Sequence, residues 1–273
     1  MSENTAGIGF LAEWGLSVLV ETDKVNVLLD TGQSISVTYN ADALGVDLSR
    51  IDKIVLSHGH YDHTGGLRSV LRRMRKEVEV IAHPDIWAAK YSCGYGRKDR
   101  YIGIPFQRQE LESLGARFSL TGEPVRISDD IMTTGEISME TDFEKMNSGL
   151  CVKKGDGFRP DELRDDQALI ITTDKGLVVI LGCAHRGIIN TLYRAQALTG
   201  VKRIDTVIGG CHLFDASEER VWRTISALKE LDVSRIGASH CTGLPVAALM
   251  AQEFGDRFFF NTAGTRIELA LRS

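Results

Sequence analysis

The stretch Ser57-His58-Gly59-His60-Tyr61-Asp62-His63-Thr64-Gly65-Gly66, called the ligand decad below, holds four metal-binding side chains within six residues. These side chains are His58, His60, Asp62 and His63. The apolar run Ile54-Val55-Leu56 precedes the decad and predicts a buried strand that leads into a tight turn. Such a turn presents the four side chains as one cluster, and three imidazoles with a carboxylate suit zinc, iron or manganese. The alternative is a His-rich surface turn with local hydrogen bonds, but so dense a run of ligands is costly without a neutralising cation.

The order H-x-H-x-D-H, followed by Gly65-Gly66 and a helical pattern, resembles the signature of the metallo-β-lactamase superfamily of binuclear metal hydrolases. Later segments are similar to one branch of that superfamily, the dihydropterin-ribofuranosylaminobenzene-phosphate synthase-like hydrolases. Those segments are Asp161-Glu162-Leu163-Arg164-Asp165-Asp166-Gln167-Ala168, G-C-A-H-R-G at 182–187, G-G-C-H-L at 209–213 and S-H-C-T-G at 239–243. The resemblance covers nearly the whole chain. It implies an α/β fold in four layers, an αββα sandwich of two mixed sheets.

Strands and helices alternate along both halves of the chain, which also favours a sandwich with its helices outside. From apolar and β-branched runs we predict strands at 16–20, 25–29, 51–56, 77–82, 125–127, 131–133, 167–172, 176–181, 204–208, 235–239, 257–260 and 266–270. We predict helices at 38–48, 67–74, 187–199, 217–231 and 244–254. No linker or change in composition divides the chain, so residues 1–273 are predicted to form one domain.

Composition argues against several classes of protein. Of 273 residues, 43% are hydrophobic and 25% are charged, as in an ordinary soluble globular protein. The formal net charge of −5 argues against a nucleic-acid-binding surface, and no apolar run approaches the roughly 18 residues of a membrane span. The N-terminus has neither a basic start nor an apolar core, so we expect no signal peptide. Five widely spaced cysteines without a C-x-x-C motif favour reduced thiols and a cytoplasmic location.

The segment at about 91–150 is the least regular part of the sequence, because glycines and a proline interrupt it. Long excursions in compact domains are often lids or substrate loops. We therefore predict that this segment covers the metal site and that Arg97 and Arg100 supply cations to an anionic substrate. The alternative is a solvent-exposed basic loop.

Three further histidines, His185, His212 and His240, each come directly after an apolar strand. Strand ends at one edge of packed sheets bring together side chains that are distant in the sequence. The predicted ligand sets are His58, His60 and His185 for one metal ion, and Asp62, His63 and His240 for a second. The role of His212 stays open between a metal ligand, a catalytic group and a structural residue.

The chain departs from the commoner superfamily pattern, which has a G-H-(T/S)-x-G segment for the third histidine and a G-D segment for a bridging aspartate. Gly182-Cys183 stands where G-D is expected. The bridging ligand therefore stays open between Asp166, Asp165 and a water or hydroxide alone. Cys183 is either a soft ligand or a small buried packing residue. Asp30, in the segment L-D-T-G, is either a hydrogen-bond partner of a ligating histidine or a plain strand-end residue.

Together these features predict a hydrolase with two divalent metal ions, zinc first, with manganese or iron as alternatives. A metal-activated water attacks a phosphoryl or acyl centre; Asp62 orients or deprotonates the water, and His212 is the candidate general acid. A small anionic phosphate ester, which could be linked to a pterin, is implied only by the resemblance. The alternatives are a lactone or thioester hydrolase, a mononuclear-iron dioxygenase of the persulfide type, and a non-catalytic metal-binding module. We expect no nucleic-acid or membrane partner, and the oligomeric state stays open.

Overall fold

The computed structural model of the protein describes residues 4–93 and 99–269. In chain order the strands are β1 (Val18–Glu21), β2 (Asn26–Leu29), β3 (Lys53–Val55), β4 (Val78–Ala82), β5 (Lys90–Ser92), β6 (Arg100–Tyr101), β7 (Ala116–Leu120), β8 (Ile131–Thr133), β9 (Leu150–Lys154), β10 (Gly157–Pro160), β11 (Leu169–Thr173), β12 (Gly176–Ile180), β13 (Ile204–Gly209), β14 (Arg235–Ala238) and β15 (Phe258–Phe260). The α-helices are α1 (Ser36–Leu44), α2 (Tyr61–Thr64), α3 (Leu67–Met74), α4 (Arg108–Ser113), α5 (Ile188–Thr199), α6 (Glu218–Glu230) and α7 (Leu244–Phe254). Short 3-10 helices lie at Leu48–Arg50, Pro84–Trp87, His240–Thr242 and Gly255–Arg257.

Two mixed sheets form the centre of the fold. The first has the order β1-β2-β3-β4-β7, in which β1 is antiparallel to β2 and the other pairs are parallel. The second has the order β15-β14-β13-β12-β11-β8, in which β12 to β15 are parallel and β11 is antiparallel to both of its neighbours. Parallel neighbours place their carboxyl ends at the same edge of a sheet, and the histidine-bearing segments begin at these ends.

Alternating side chains along the strands divide the core into layers. Val27 and Leu29 of β2 share one buried cluster with Val178 and Ile180 of β12, so this cluster lies between the two sheets. Leu28 points to the opposite face of β2 and joins a second cluster that contains residues of α1, α3 and α4. The opposite face of β12 joins a third cluster with residues of α5, α6 and α7. The predicted α/β sandwich with layers α, β, β and α is confirmed.

The helices agree with the signals in their sequences. Gly45 and Gly200 adopt left-handed backbone, with φ of 69° and 72°, directly after α1 and α5. The hydroxyl of Ser217 accepts a hydrogen bond from the N–H of Arg220 at 3.2 Å and caps α6. Among the residues that the structure describes, no helix combines the length and the apolar character that crossing a bilayer requires.

The segment at 91–150 is more regular than its sequence predicts. Helix α4 belongs to the helical layer of the first sheet, and strand β7 belongs to the sheet itself. Leu111 of α4 and Ala116 of β7 are fully buried. Helix α4 has six residues and one buried side chain, which is too short for a visible apolar period. Strand β7 lies at the sheet edge and is partly exposed, so it lacks a continuous apolar run.

Two of the predicted strands are also not formed as expected. The strand predicted at 125–127 is reduced to an isolated bridge between Arg126 and Met132. The strand predicted at 266–270 is wrong for the described residues 266–269, which adopt no strand. Short runs near a chain end have few partners to pair with, and apolar composition alone does not distinguish them from extended coil.

A small antiparallel sheet with the order β10-β9-β5-β6 is a further element that the sequence does not predict. Strand β5 ends beside Cys93 and pairs with β9, which contains Cys151. These two cysteines form a disulfide with a Cα–Cα distance of 6.1 Å. The prediction of reduced cysteines is therefore wrong for this pair, because strand pairing joins residues 58 positions apart.

A buried ion triad connects this small sheet to the ligand decad. Lys90 is 1% exposed, and its Nζ donates to Asp161 Oδ2 and Asp165 Oδ1, both at 2.8 Å. The other oxygen of Asp165 accepts a hydrogen bond from the N–H of Gly59 at 2.8 Å, between the first two histidines of the decad. Burial lowers the pKa of Lys90, but Asp165 and Asp161 raise it by more, so Lys90 keeps its charge. The triad thus fixes the backbone at the start of the decad.

Replacing Lys90 with methionine should lower the free energy of unfolding by about 3–5 kcal/mol, because two buried carboxylates lose their cation. Urea unfolding of the metal-free protein measures this change. Lys53→Met is the matched control, since Lys53 pairs with Glu79 at a partly exposed position and should cost about 1 kcal/mol or less. Equal losses in the two variants would contradict the structural role of the triad.

Candidate metal centre

The predicted ligands all lie just beyond the carboxyl ends of strands. The decad follows β3, and Asp30 follows β2, which is the neighbour of β3 in the first sheet. His185, His212 and His240 follow β12, β13 and β14, which are adjacent and parallel in the second sheet. The two sheets pack face to face, so these strand ends converge. Each of these side chains is at most 9% exposed.

His58, His60 and His185 form what is called the first donor group. Their facing atoms, His58 Nε2, His60 Nδ1 and His185 Nε2, lie 3.0–3.2 Å from one another. Burial lowers the pKa of His58 and His185 well below the ordinary value and that of His60 to about 3, so the three rings are neutral. Nitrogen atoms bound at roughly 2.0–2.1 Å to one tetrahedral zinc ion lie about 3.3 Å apart. The first donor group therefore fits a single divalent cation.

Asp62, His63 and His240 form the second donor group. His240 Nε2 lies 3.2 Å from both His63 Nε2 and Asp62 Oδ2, and the last two atoms are 3.9 Å apart. Burial raises the pKa of Asp62, but the hydrogen bond from His240 and the neighbouring histidines lower it by more, so this group is a carboxylate. The ring centroids of His58 and His63 are 4.2 Å apart. The two donor groups are therefore adjacent.

Asp30 and Ser57 connect the two donor groups through hydrogen bonds. Asp30 Oδ2 lies 2.6 Å from His63 Nδ1 and accepts a hydrogen bond from the Ser57 hydroxyl at 2.6 Å. Asp30 Oδ1 accepts from the Ser57 N–H at 2.7 Å. The Ser57 hydroxyl lies 2.9 Å from His58 Nδ1. The structure thus places Asp30 as the partner of a donor histidine, the first of the two interpretations that its sequence position allows.

Left-handed backbone at residues other than glycine is concentrated at the site. The φ angles are 58° at Asp30, 50° at Ala184, 45° at His212 and 54° at His240. Each such residue costs on the order of 1–3 kcal/mol and persists only where the surrounding packing enforces it. All four lie at the strand ends that carry donor side chains, so the packed sheets hold these ends in conformations that the residues do not prefer.

Asp165 and Asp166, the predicted bridging carboxylates, have other partners. Asp165 is held by Lys90 and Gly59. Asp166 Oδ2 accepts a hydrogen bond from the N–H of Arg186 at 2.8 Å, and burial raises the pKa of Asp166 to about 7. Among the described residues, neither carboxylate belongs to a cluster of donor atoms. The structure therefore gives both carboxylates hydrogen-bond partners outside the two donor groups.

Cys183 and His212 lie directly against the donor groups. Cys183 Sγ is 3.0 Å from His63 Nε2. The loop approaches this closely because residue 182 is glycine: a Cβ there would collide with the side chain of Ser57. The ring centroid of His212 is 4.2 Å from that of His185. His212 offers a ring nitrogen within 4.8 Å of donor atoms of Cys183 and His185, so this side chain can serve as a ligand or a proton carrier.

Only one of the two predicted substrate-binding arginines lies among the described residues. Arg97 lies outside the described residues. The guanidinium of Arg100 lies 5.6 Å from the ring centroid of Tyr61, the decad residue between His60 and Asp62. Arg100 is exposed and therefore places a positive charge at the surface beside the decad.

Two aromatic residues at the site were not predicted. The ring of Trp14 lies 4.8 Å from that of His240, and the ring of Phe214 lies 5.4 Å from that of His212. Trp14 has no signal in the sequence, because it is far from any ligand along the chain. Phe214 is two residues after His212, and this proximity is the signal that could have identified it.

Comparison with known proteins identifies the family to which this architecture belongs. The sequence profile of the Metallo-beta-lactamase superfamily matches residues 15–240, a range that contains both donor groups. The chain belongs to the metallo-β-lactamase superfamily.

Individual proteins are similar to almost the whole chain. The 7,8-dihydropterin-6-methyl-4-(β-D-ribofuranosyl)-aminobenzene-5'-phosphate synthase of Methanocaldococcus jannaschii is 34% identical, over 94% of this chain and 91% of its own length. The structure of Tm1679, a metal-dependent hydrolase of the β-lactamase superfamily, is 31% identical with a TM-score of 0.85, over 98% of this chain and 96% of that one. Zn(2+)-bound PqqB from Methylobacterium extorquens is 13% identical and shares the fold, with a TM-score of 0.55 over 93% of this chain and 87% of its own.

For this metallo-β-lactamase centre, Asp30→Asn should weaken zinc binding at the second donor group by about 10–100-fold, because the hydrogen-bond partner of a ligating histidine orients its ring. Competition with a chromophoric chelator measures the affinity. Asp52→Asn is the control, since the carboxylate of Asp52 accepts a hydrogen bond from Asn26 at an exposed position. Unchanged zinc affinity in the Asp30→Asn variant would contradict the role of Asp30 in orienting the His63 ring.

Proposed function

We propose that the protein is a binuclear metal-dependent hydrolase that cleaves a small phosphate ester, with zinc as the first candidate metal and manganese or iron as alternatives. The observation that carries this proposal is the presence of two adjacent three-donor groups, joined through rings whose centroids are 4.2 Å apart. Two divalent ions at a separation of about 3.5–4 Å stabilise both the attacking and the leaving oxygen of a displacement. A mononuclear-iron dioxygenase would leave the second donor group without a role.

The chain's own residues supply the proton transfers of this reaction. When bound, divalent cations lower the pKa of water toward neutrality and stabilise charge on the phosphoryl oxygens. Asp62 Oδ2 lies 3.2 Å from His240 Nε2 in the second donor group, where it can orient the attacking water or accept its proton. His212 lies beside the first donor group, where it can donate a proton to the leaving oxygen. Burial of both residues keeps competing bulk water away from these transfers.

Three features support an anionic substrate with an aromatic part. Arg100 provides an exposed cation beside the decad. Trp14 and Phe214 are 41% and 52% exposed, lie 6.1 Å apart and provide apolar surface next to the donor groups. The M. jannaschii relative is named for a phosphorylated, pterin-linked aminobenzene compound. The pterin-linked part of the proposal depends on that name alone.

The proposal is tested by assaying zinc- and manganese-loaded protein against aryl phosphate esters, lactones and thioesters. We expect phosphate esters to be hydrolysed preferentially and a chelator to abolish the activity. His58→Ala and His240→Ala should each lower kcat/KM by at least about 10²-fold, because each removes a ligand of the metal centre. His83→Ala is the control, since His83 pairs with Glu136 and belongs to neither donor group. Activity that survives both ligand substitutions would refute the proposal, and exclusive lactone or thioester hydrolysis would refute its phosphate-ester part.

The general-acid role of His212 predicts a dependence on the leaving group. His212→Gln should lower kcat for an alkyl phosphate ester by about 10²–10⁴-fold, because the alkoxide needs a proton as it leaves. For a p-nitrophenyl ester the loss should be less than about tenfold, since that leaving group is stable without a proton. Metal content should stay at the wild-type value. An equal loss for both esters, or loss of a metal ion, would contradict this role.

A further inference from the structure

Cys183 occupies the space between the two donor groups. Its Sγ lies 3.0 Å from Nε2 of His63, which belongs to the second group. The same sulfur belongs to two clusters of three donor atoms, one with His58 and His63 and the other with His185 and His212. Within each cluster all donor atoms lie within 4.8 Å of one another. It therefore approaches donor atoms of both groups.

The path of the chain explains this position. Strand β12 ends at Ile180, and the following glycine at 182 lets the backbone pack onto Ser57. Ala184 then adopts left-handed backbone with φ of 50°. As a result Cys183 and His185, two residues apart, both bring donor atoms into the cluster that contains His212. Cys183 is 2% exposed, so its thiol is almost completely shielded from bulk solvent.

Other side chains that could occupy the space between the groups have different partners. Asp165 and Asp166 are held by Lys90 and by the backbone of Gly59 and Arg186. The thiol of Cys241 donates to the carbonyl of Cys183 at 3.6 Å and accepts from a backbone N–H at 3.2 Å. Cys241 shares a donor cluster with His240 of the second group and with Cys183 itself. Cys183 differs from Cys241 because its sulfur also shares clusters with His58 and His185 of the first group.

We propose that the Cys183 thiolate is a ligand of the metal centre and that its sulfur bridges the two ions. This inference rests on the binuclear centre of the proposed function and adds one donor to each of its three-donor groups. A thiolate sulfur has several lone pairs, binds zinc at roughly 2.3 Å and suits the same borderline-soft cations that imidazole binds. The centre would thus have a sulfur bridge and would differ from a purely nitrogen and oxygen site in its spectroscopy.

Cobalt(II) is the probe that tests whether sulfur is a ligand, because a cobalt–thiolate bond gives an intense near-ultraviolet charge-transfer band. Protein loaded anaerobically with two equivalents of cobalt should show this band. Cys183→Ser should lose it. Cys211→Ser should keep it, since Cys211 is an equally buried free thiol that belongs to no donor cluster among the described residues. A band that is absent from the wild type, or that survives in Cys183→Ser, would overturn the inference.

X-ray absorption of the zinc-loaded protein separates a bridging sulfur from a terminal one. A bridge gives an average of one sulfur neighbour per zinc, whereas a terminal thiolate gives half of one and would overturn the bridging assignment. Cys183→Asp is a second variant in case the serine variant does not fold. The aspartate variant should bind two metal ions, and neither ion should have a sulfur neighbour. Retention of a sulfur neighbour in that variant would also overturn the inference.

The outcomes distinguish this inference from the function on which it rests. A wild-type protein that binds two metal ions and hydrolyses phosphate esters without any sulfur neighbour would keep the proposed function and refute the bridge. A protein that binds no divalent metal would refute both.

Discussion

The arrangement of the site depends on one electrostatic constraint, the convergence of buried lone pairs. Three imidazole nitrogens of the first donor group lie 3.0–3.2 Å apart, on side chains that are at most 5% exposed. A neutral imidazole has one donor and one acceptor nitrogen, so three of them cannot satisfy one another at a single point. Buried polar atoms without partners are costly, and a divalent cation satisfies all three at once. The second donor group repeats this situation with a carboxylate in place of one ring.

The surrounding fold can be understood as the means of holding these atoms in place. Parallel strands of two packed sheets deliver the donor residues to one edge, and three buried clusters fix the strands from both faces. The left-handed backbone at Asp30, Ala184, His212 and His240 is unfavourable by itself, so it relies on this packing. The Lys90 triad fixes the backbone of Gly59 through a hydrogen bond to Asp165. Rigidity of this kind suits a centre whose ligands must not rearrange during a reaction.

Much of this organisation could be predicted from the sequence, and the exceptions have physical causes. The sandwich could be predicted from the alternation of strands and helices and from the resemblance that the decad carries. The convergence of His185 and His240 on the decad could be predicted because each follows an apolar strand and strand ends meet at one edge of packed sheets. Helix α4 and strand β7 were missed because a short helix and an exposed edge strand carry little periodicity. The Cys93–Cys151 disulfide and the central position of Cys183 depend on contacts between residues more than 50 positions apart, which no local pattern encodes. Sequence reasoning therefore left the bridging position open between Asp165, Asp166 and a water or hydroxide, and the structure pairs these two carboxylates with Lys90 and with the backbone of Arg186.

Metal content is the most direct test of two adjacent cation sites in one chain. Protein purified without added metal, analysed by inductively coupled plasma mass spectrometry, should contain two divalent ions per chain. His185→Ala removes a donor of the first group and His240→Ala a donor of the second, so each variant should retain one ion while keeping its fold. A wild-type protein with a single iron and oxygen uptake, or with no bound metal, would contradict the account.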